Sequence, residues 1–172
     1  MSLSDLSPTW RKWLRRAIEL LVIIIVIMGV RAWQQRDIAS GPAPALQGVL
    51  LDKRTFVLPA KPEQPVLVHF WATWCPICRT EQGSLEALSN DHYKVMTVAM
   101  QSGERASVQG FMAEQKLSFP VINDPEGMLS AEWGVHAVPA SFIIDTDGKI
   151  RFVEIGYTTG MGLRLRLWLA QF

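Results

Sequence analysis

Cys75 and Cys78 are the two cysteines of this 172-residue chain, and two residues separate them within VLVHFWATWCPICRTE, residues 66–81. Three chemistries use a pair so spaced: a structural bridge, a metal centre or a reversible dithiol. A bridge closing so short a loop stabilises by only about 2 kcal/mol, against nearly 5 for a 100-residue loop. Structural zinc takes four ligands, and no second cysteine pair exists to supply them. A dithiol that cycles needs nothing further, because side chains three apart share one face of a helix. Pro76 suits the first helical position, where its missing N–H is not needed. Cys75 then stands at the helix cap, beside unpaired N–H groups and the positive end of the helix dipole, both of which favour thiolate. Cys75 is therefore expected to attack, and Cys78, less accessible on the same face, to resolve the mixed disulfide.

The elements that must hold this pair are legible around it. Residues 66–72 form a continuous apolar run suited to the middle of a sheet. Residues 76–89 have helical spacing, with Ile77, Leu85 and Leu88 apolar and Arg79, Glu81 and Glu86 polar. Further strands are predicted at 56–58, 95–100, 141–145 and 150–155, the last two joined by an Asp147-Gly148 hairpin turn. Helices are predicted at 107–115, 128–133 and 161–170. The order implies one α/β domain whose mixed central sheet is flanked by helices, with parallel crossovers and one antiparallel edge pair.

Charge divides the chain. Residues 1–40 hold six Lys/Arg against three Asp/Glu, and the rest holds eleven against thirteen. No basic stripe exists, which argues against nucleic-acid binding. The basic excess surrounds LLVIIIVIMGV, residues 20–30, bounded by Arg15, Arg16 and Arg31. Residues 14–33 make about 30 Å of helix, the thickness of a hydrocarbon core, provided the arginines snorkel. Trp10, Trp13 and Trp33 flank the run as interfacial aromatics do, and the excess of Lys/Arg before it keeps the N-terminus cytoplasmic. One reading is a single-pass anchor, with residues 1–13 cytoplasmic, 14–33 spanning, 34–45 a Pro/Ala/Gly tether and 46–172 the folded domain. The other is a cleaved signal peptide, whose cut would fall beside Arg31. A buried amphipathic helix fits poorly, because residues 22–26 are apolar all round. Either of the first two places the dithiol outside the reducing cytoplasm.

The stretches FWATWCPICRTE, FPVINDPEG at 119–127 and WGVHAVPASFIIDTDGKI at 133–150 resemble the thioredoxin superfamily, in particular its membrane-tethered TlpA/ResA branch. The resemblance covers about residues 44–172. It implies a thioredoxin-like fold, protein thiol-disulfide oxidoreductase activity, and no cofactor or metal beyond the Cys75–Cys78 disulfide. It also implies that Pro139 is a cis-proline facing the disulfide, with Val138 exposing its backbone to a client strand. Trp74 and Pro76 would complete the client-binding rim. Glu81 matches an acidic residue of the ResA-like branch, which makes it the expected proton acceptor for Cys78; the plainer reading is a solvated glutamate on the helix surface. His69 occupies the strand position where cytosolic thioredoxins carry a buried acid. It reads either as a satisfied polar residue near the core or as a proton relay. Gly83 stands where the family typically has a helix-kinking proline.

Among anchored relatives, CPIC with a VPAS-type loop is most similar to the suppressor-of-copper-sensitivity group. That implies a bacterial inner-membrane protein with a periplasmic catalytic domain. It would act as a reductase in copper tolerance, fed by a membrane electron-transporting partner. A different class stays open beside it: a copper carrier using Cys75, Cys78 and His136, with Met96 or Met100 nearby, since two thiolates and an imidazole suit copper.

Overall fold

The computed structural model describes residues 8–34 and 38–172, excluding the side chains of residues 8, 9, 11, 27 and 30–34. The chain divides into two compact units, one up to Ile38 and one spanning Ala39–Phe172. The first holds a single 27-residue helix, α1 (Pro8–Gln34). Every side chain from Leu20 to Val26 is exposed along it. Among the described residues no helix is long and apolar enough to cross a membrane; the side chains of Ile27 and residues 30–33, part of the predicted span, lie outside that description.

The second unit contains β1 (Gly41–Pro42), β2 (Gln47–Val49), β3 (Thr55–Val57), β4 (Val66–Trp71), α2 (Pro76–Asn90), β5 (Lys94–Met100) and α3 (Arg105–Glu114). Beyond these come β6 (Val121–Asp124), α4 (Met128–Glu132), β7 (Ala140–Ile144), β8 (Lys149–Ile155) and α5 (Gly160–Leu169). Six strands form one sheet in the order β1-β8-β7-β4-β5-β6, and β2 and β3 form a separate hairpin. β4, β5 and β6 run parallel, whereas β4–β7, β7–β8 and β1–β8 are antiparallel. The sheet is thus mixed through its middle, with β7 in the interior, and not parallel with one antiparallel edge pair. The compact unit also begins before the predicted boundary at residue 46. Gly41 and Pro42 pair with Ile150 and Lys149, and Ala39 N–H donates to the Trp133 carbonyl.

β4 is buried at all six positions because β5 and β7 flank it and both faces are covered. Odd-numbered Leu67, His69 and Trp71 face α2 and α5, whose Leu85, Leu88, Leu163 and Leu167 join the same core as Ile143 and Phe152. Even-numbered Phe70 faces the other side and packs with Phe142 and Trp133. The β7–β8 turn is held by Asp145 Oδ1, which accepts from the N–H groups of Asp147 (3.0 Å) and Lys149 (2.9 Å). Gly148 has φ +77°, and a Cβ there would lie 2.0 Å from the Ala60 carbonyl oxygen, so no side chain fits.

Candidate active site

The centre forms where β4 ends and α2 begins. Cys75 is the N-cap of α2 with extended backbone (φ −90°, ψ 109°), and Pro76 fills the first helical position. Cys78 N–H donates to Cys75 Sγ at 3.1 Å, so one of the helix's unpaired amides is satisfied by sulfur. The two sulfurs are joined as a disulfide with a Cα–Cα distance of 5.3 Å. Both cysteines are buried, at 3% and 1% exposure, so the expected contrast in accessibility is nearly absent in the oxidised state.

The surroundings approach the disulfide from three elements. The Val138–Pro139 peptide is cis, and the Val138 carbonyl oxygen lies 3.7 Å from Cys75 Sγ. Trp74 is 57% exposed yet fixed, its indole N–H donating to the Gln101 carbonyl at 3.0 Å. Pro76 and Ile77 are exposed beside it. Ser102 Oγ accepts from Thr73 N–H and donates to the Met100 carbonyl, both at 3.0 Å, which ties the turn before Cys75 to the end of β5. Of the four expected rim residues, Trp74 and Pro76 are exposed, Val138 is partly buried and Pro139 is buried.

One helical turn after Cys78, α2 contributes to a buried polar cluster. Glu81, three residues after Cys78 on α2, is 2% exposed and accepts from the Thr158 N–H. It is not a solvated surface glutamate. Burial raises its pKa from 4.5 to about 7, opposed by the Thr158 hydrogen bond, which favours the carboxylate. His69 lies opposite, with Nδ1 2.8 Å from Ser141 Oγ and Nε2 3.8 Å from Glu81 Oε2. Burial lowers its pKa from 6.5 to about 3, so it is a neutral imidazole at physiological pH. His69 is only half satisfied, because its Nε2 and the facing Glu81 Oε2 have no hydrogen-bond partner.

The loop before α5 connects this cluster to the cis-proline. Gly156 N–H donates to the Pro139 carbonyl, Thr158 N–H to Glu81, and Gly160 packs so closely on Ser84 that a Cβ would meet its Oγ at 2.9 Å. Ser141 and Thr158 were not singled out by sequence reasoning. Ser141 acts through strand register and Thr158 through its backbone, and neither leaves a local pattern. Among the described residues, no three or more His, Cys, Asp or Glu side chains converge on a metal-sized site. Cys75 and Cys78 are bonded to each other, and His136 is exposed.

A helix-capping disulfide against a cis-proline loop on a mixed sheet defines a thioredoxin-fold dithiol–disulfide centre. Residues 38–161 match the Redoxin family, and the chain belongs to it. A thioredoxin-like protein of Haemophilus influenzae is 29% identical over 163 residues, covering 94% of this chain and 97% of its own. Sporulation thiol-disulfide oxidoreductase A of Bacillus subtilis is 32% identical over 156 residues, covering 84% and 94%. The crystal structure of StoA from Bacillus subtilis superposes with a TM-score of 0.62 at 28% identity, over 74% of this chain and 98% of that one. The protein is a thiol-disulfide oxidoreductase whose substrates are proteins bearing thiols or disulfides.

Proposed function

We propose that this is a membrane-tethered periplasmic reductase of protein disulfides, with Cys75 attacking, Cys78 resolving and Glu81 accepting the proton of Cys78. The observation that carries the reading is Cys75 Sγ capped by the Cys78 N–H and 3.7 Å from the Val138 carbonyl, with the buried Glu81 three residues after Cys78 on the same helix. In the reduced protein the Cys75 thiolate attacks one sulfur of a client disulfide, forming a mixed disulfide and releasing one client thiolate. Cys78 gives its proton to the Glu81 carboxylate and attacks Cys75, which releases the second client thiolate and restores the Cys75–Cys78 disulfide. The client gains two electrons and the protein loses two. A client strand laid along Val138, bordered by Trp74, Pro76 and Pro139, would present its disulfide to Cys75 by backbone pairing.

The tether is residues 14–33. Exposed apolar side chains along the helix from Leu20 to Val26 support it, because a helix apolar on all sides calls for an apolar medium. With the N-terminus cytoplasmic the catalytic domain stands in the periplasm, where a membrane electron-transporting reductase would resupply the electron pair. Copper tolerance, where adventitious disulfides need reduction, is the proposed setting. Replacing Cys78 with serine tests the core of this reading. The variant is expected to accumulate a client joined to Cys75, seen as a dithiothreitol-sensitive band. Absence of any such adduct, together with tight Cu(I) binding by the wild type, would sink it in favour of the carrier. A midpoint potential near −120 mV rather than near −270 mV would reverse the direction of electron flow.

A further inference from the structure

His69, Ser141 and Glu154 stand side by side across three neighbouring strands. His69 of β4 is in register with Ser141 of β7, and Ser141 with Glu154 of β8. Residues directly opposite in paired strands share a face, with Cβ atoms about 4.5–5.5 Å apart. The three therefore make a polar row across the face that α2 and α5 cover. Glu81 joins it from α2 at the inner end. At the outer end Arg166 of α5 pairs with Glu154 at 2.6 Å. Burial relaxes along the row: Glu81, His69 and Ser141 are buried, and the Glu154 side chain is 30% exposed. β1 reaches only Lys149 and Ile150, so β8 is an open edge at Glu154.

Packing alone does not account for this row. Two polar atoms, His69 Nε2 and Glu81 Oε2, are buried face to face without partners, an arrangement that costs stability where apolar side chains would add to it. We propose that the row conducts the proton that Glu81 takes from Cys78 out of the domain, through His69 and Ser141 to Glu154 at the open edge. The inference rests on Glu81 being the proton acceptor. In each passage Glu81 gives its carboxyl proton to His69 Nε2, the Nδ1–H proton passes to Ser141 Oγ, and the hydroxyl proton of Ser141 leaves through Glu154 to water. After oxidation Glu81 is a carboxylate, His69 a neutral imidazole protonated on Nε2 and Ser141 a hydroxyl. Re-reduction of the disulfide draws a proton inward by the same hops in reverse, which returns His69 to the Nδ1–H tautomer and Cys78 to a thiol. Imidazole and hydroxyl suit these positions because each donates and accepts. The groups facing Glu81 are Cys78 of its own helix, His69 and the Thr158 N–H; no charged side chain acts on its carboxyl.

The test compares Ser141→Ala and Ser141→Thr in single-turnover oxidation of the reduced protein by a disulfide client, in H₂O and in D₂O. Ser141→Ala is expected to slow the reaction about tenfold, a fraction of what general acid–base catalysis supplies, and to enlarge the solvent isotope effect. Ser141→Thr and added imidazole buffer should each restore the rate. The midpoint potential should not move, since a route changes rates and not equilibria. A wild-type rate and isotope effect in Ser141→Ala overturn the proposal, as does a rate loss that neither threonine nor imidazole restores. Glu81→Gln separates the two layers. A normal rate in that variant removes the proton acceptor itself, whereas a slow Glu81→Gln beside a normal Ser141→Ala removes only the row.

Discussion

Consecutive residues of β4, His69 and Phe70, open onto two differently built sides of the same sheet. Phe70 meets Trp133 (tilted) and Phe142 (edge-to-face) with ring centroids 5.6 Å away in each case, and Trp133 and Phe142 meet edge-to-face at 5.0 Å. Such aromatic pairs add about 0.5–1.5 kcal/mol each beyond the area they bury. His69, one residue earlier, is equally buried but makes one hydrogen bond and leaves Nε2 unpartnered before a carboxyl. On the α2/α5 side a core of leucines and Trp71 is interrupted at His69 by groups poised to titrate, whereas the Phe70 side stays aromatic at this level. A domain of this size holds both because the strand between them alternates its side chains by two.

That contrast breaks most visibly through the aromatic side. Phe142→Ala is expected to cost about 3–5 kcal/mol of folding stability, read as a lowered urea midpoint. The midpoint potential of the fraction still folded should stay at the wild-type value, because Phe142 faces away from the Glu81 cluster. A potential that moved in step with stability would mean that the two sides do not work independently.

A smaller effect sharpens the comparison from the polar side. Glu81 titrates near 7 in the folded protein against 4.5 ordinarily, so as pH rises the unfolded chain ionises first, and stability falls across that window. His69 titrates near 3 against 6.5, so as pH falls the unfolded chain protonates first, and stability falls from about 6.5 downward. Each slope is at most about 1.4 kcal/mol per pH unit. The two oppose each other between about pH 4.5 and 6.5, where the oxidised wild type is expected to show a nearly flat contribution. Glu81→Gln should remove one slope and expose a loss of stability below pH 6.5. Urea titrations of the oxidised protein at half-unit pH steps would read it, and a variant profile as flat as the wild type's would show that the carboxyl does not titrate in its buried site.

How much of this was legible in the chain depends on whether a signal was local. The strand-turn-helix around Cys75 rests on an apolar run and Pro76, and the hairpin on Asp147-Gly148; both stand where expected. β1 reads as tether in the sequence because two residues, one of them proline, carry no periodicity, and their pairing partners lie more than a hundred residues away. The interior place of β7 is likewise a matter of which distant segments pair. The i, i+3 spacing put Glu81 on the face of Cys78. Its burial came from elsewhere: the loop at Thr158 and the strand carrying His69, neither close in sequence.

Thr158 gives the smallest and most discriminating expectation. Glu81 accepts from its backbone N–H, a group every residue but proline offers, and no hydrogen bond to the Thr158 hydroxyl is seen among the described residues. If the environment of the carboxyl is set by burial and that one amide, Thr158→Ala should leave the Glu81 titration near 7 and change stability by about 1 kcal/mol or less. The titration can be followed by the carboxyl carbon resonance of Glu81 in the oxidised protein. A shift of a full pH unit would mean that the threonine side chain itself closes the site. The sealing of the polar side would then depend on side-chain packing, as the aromatic side does.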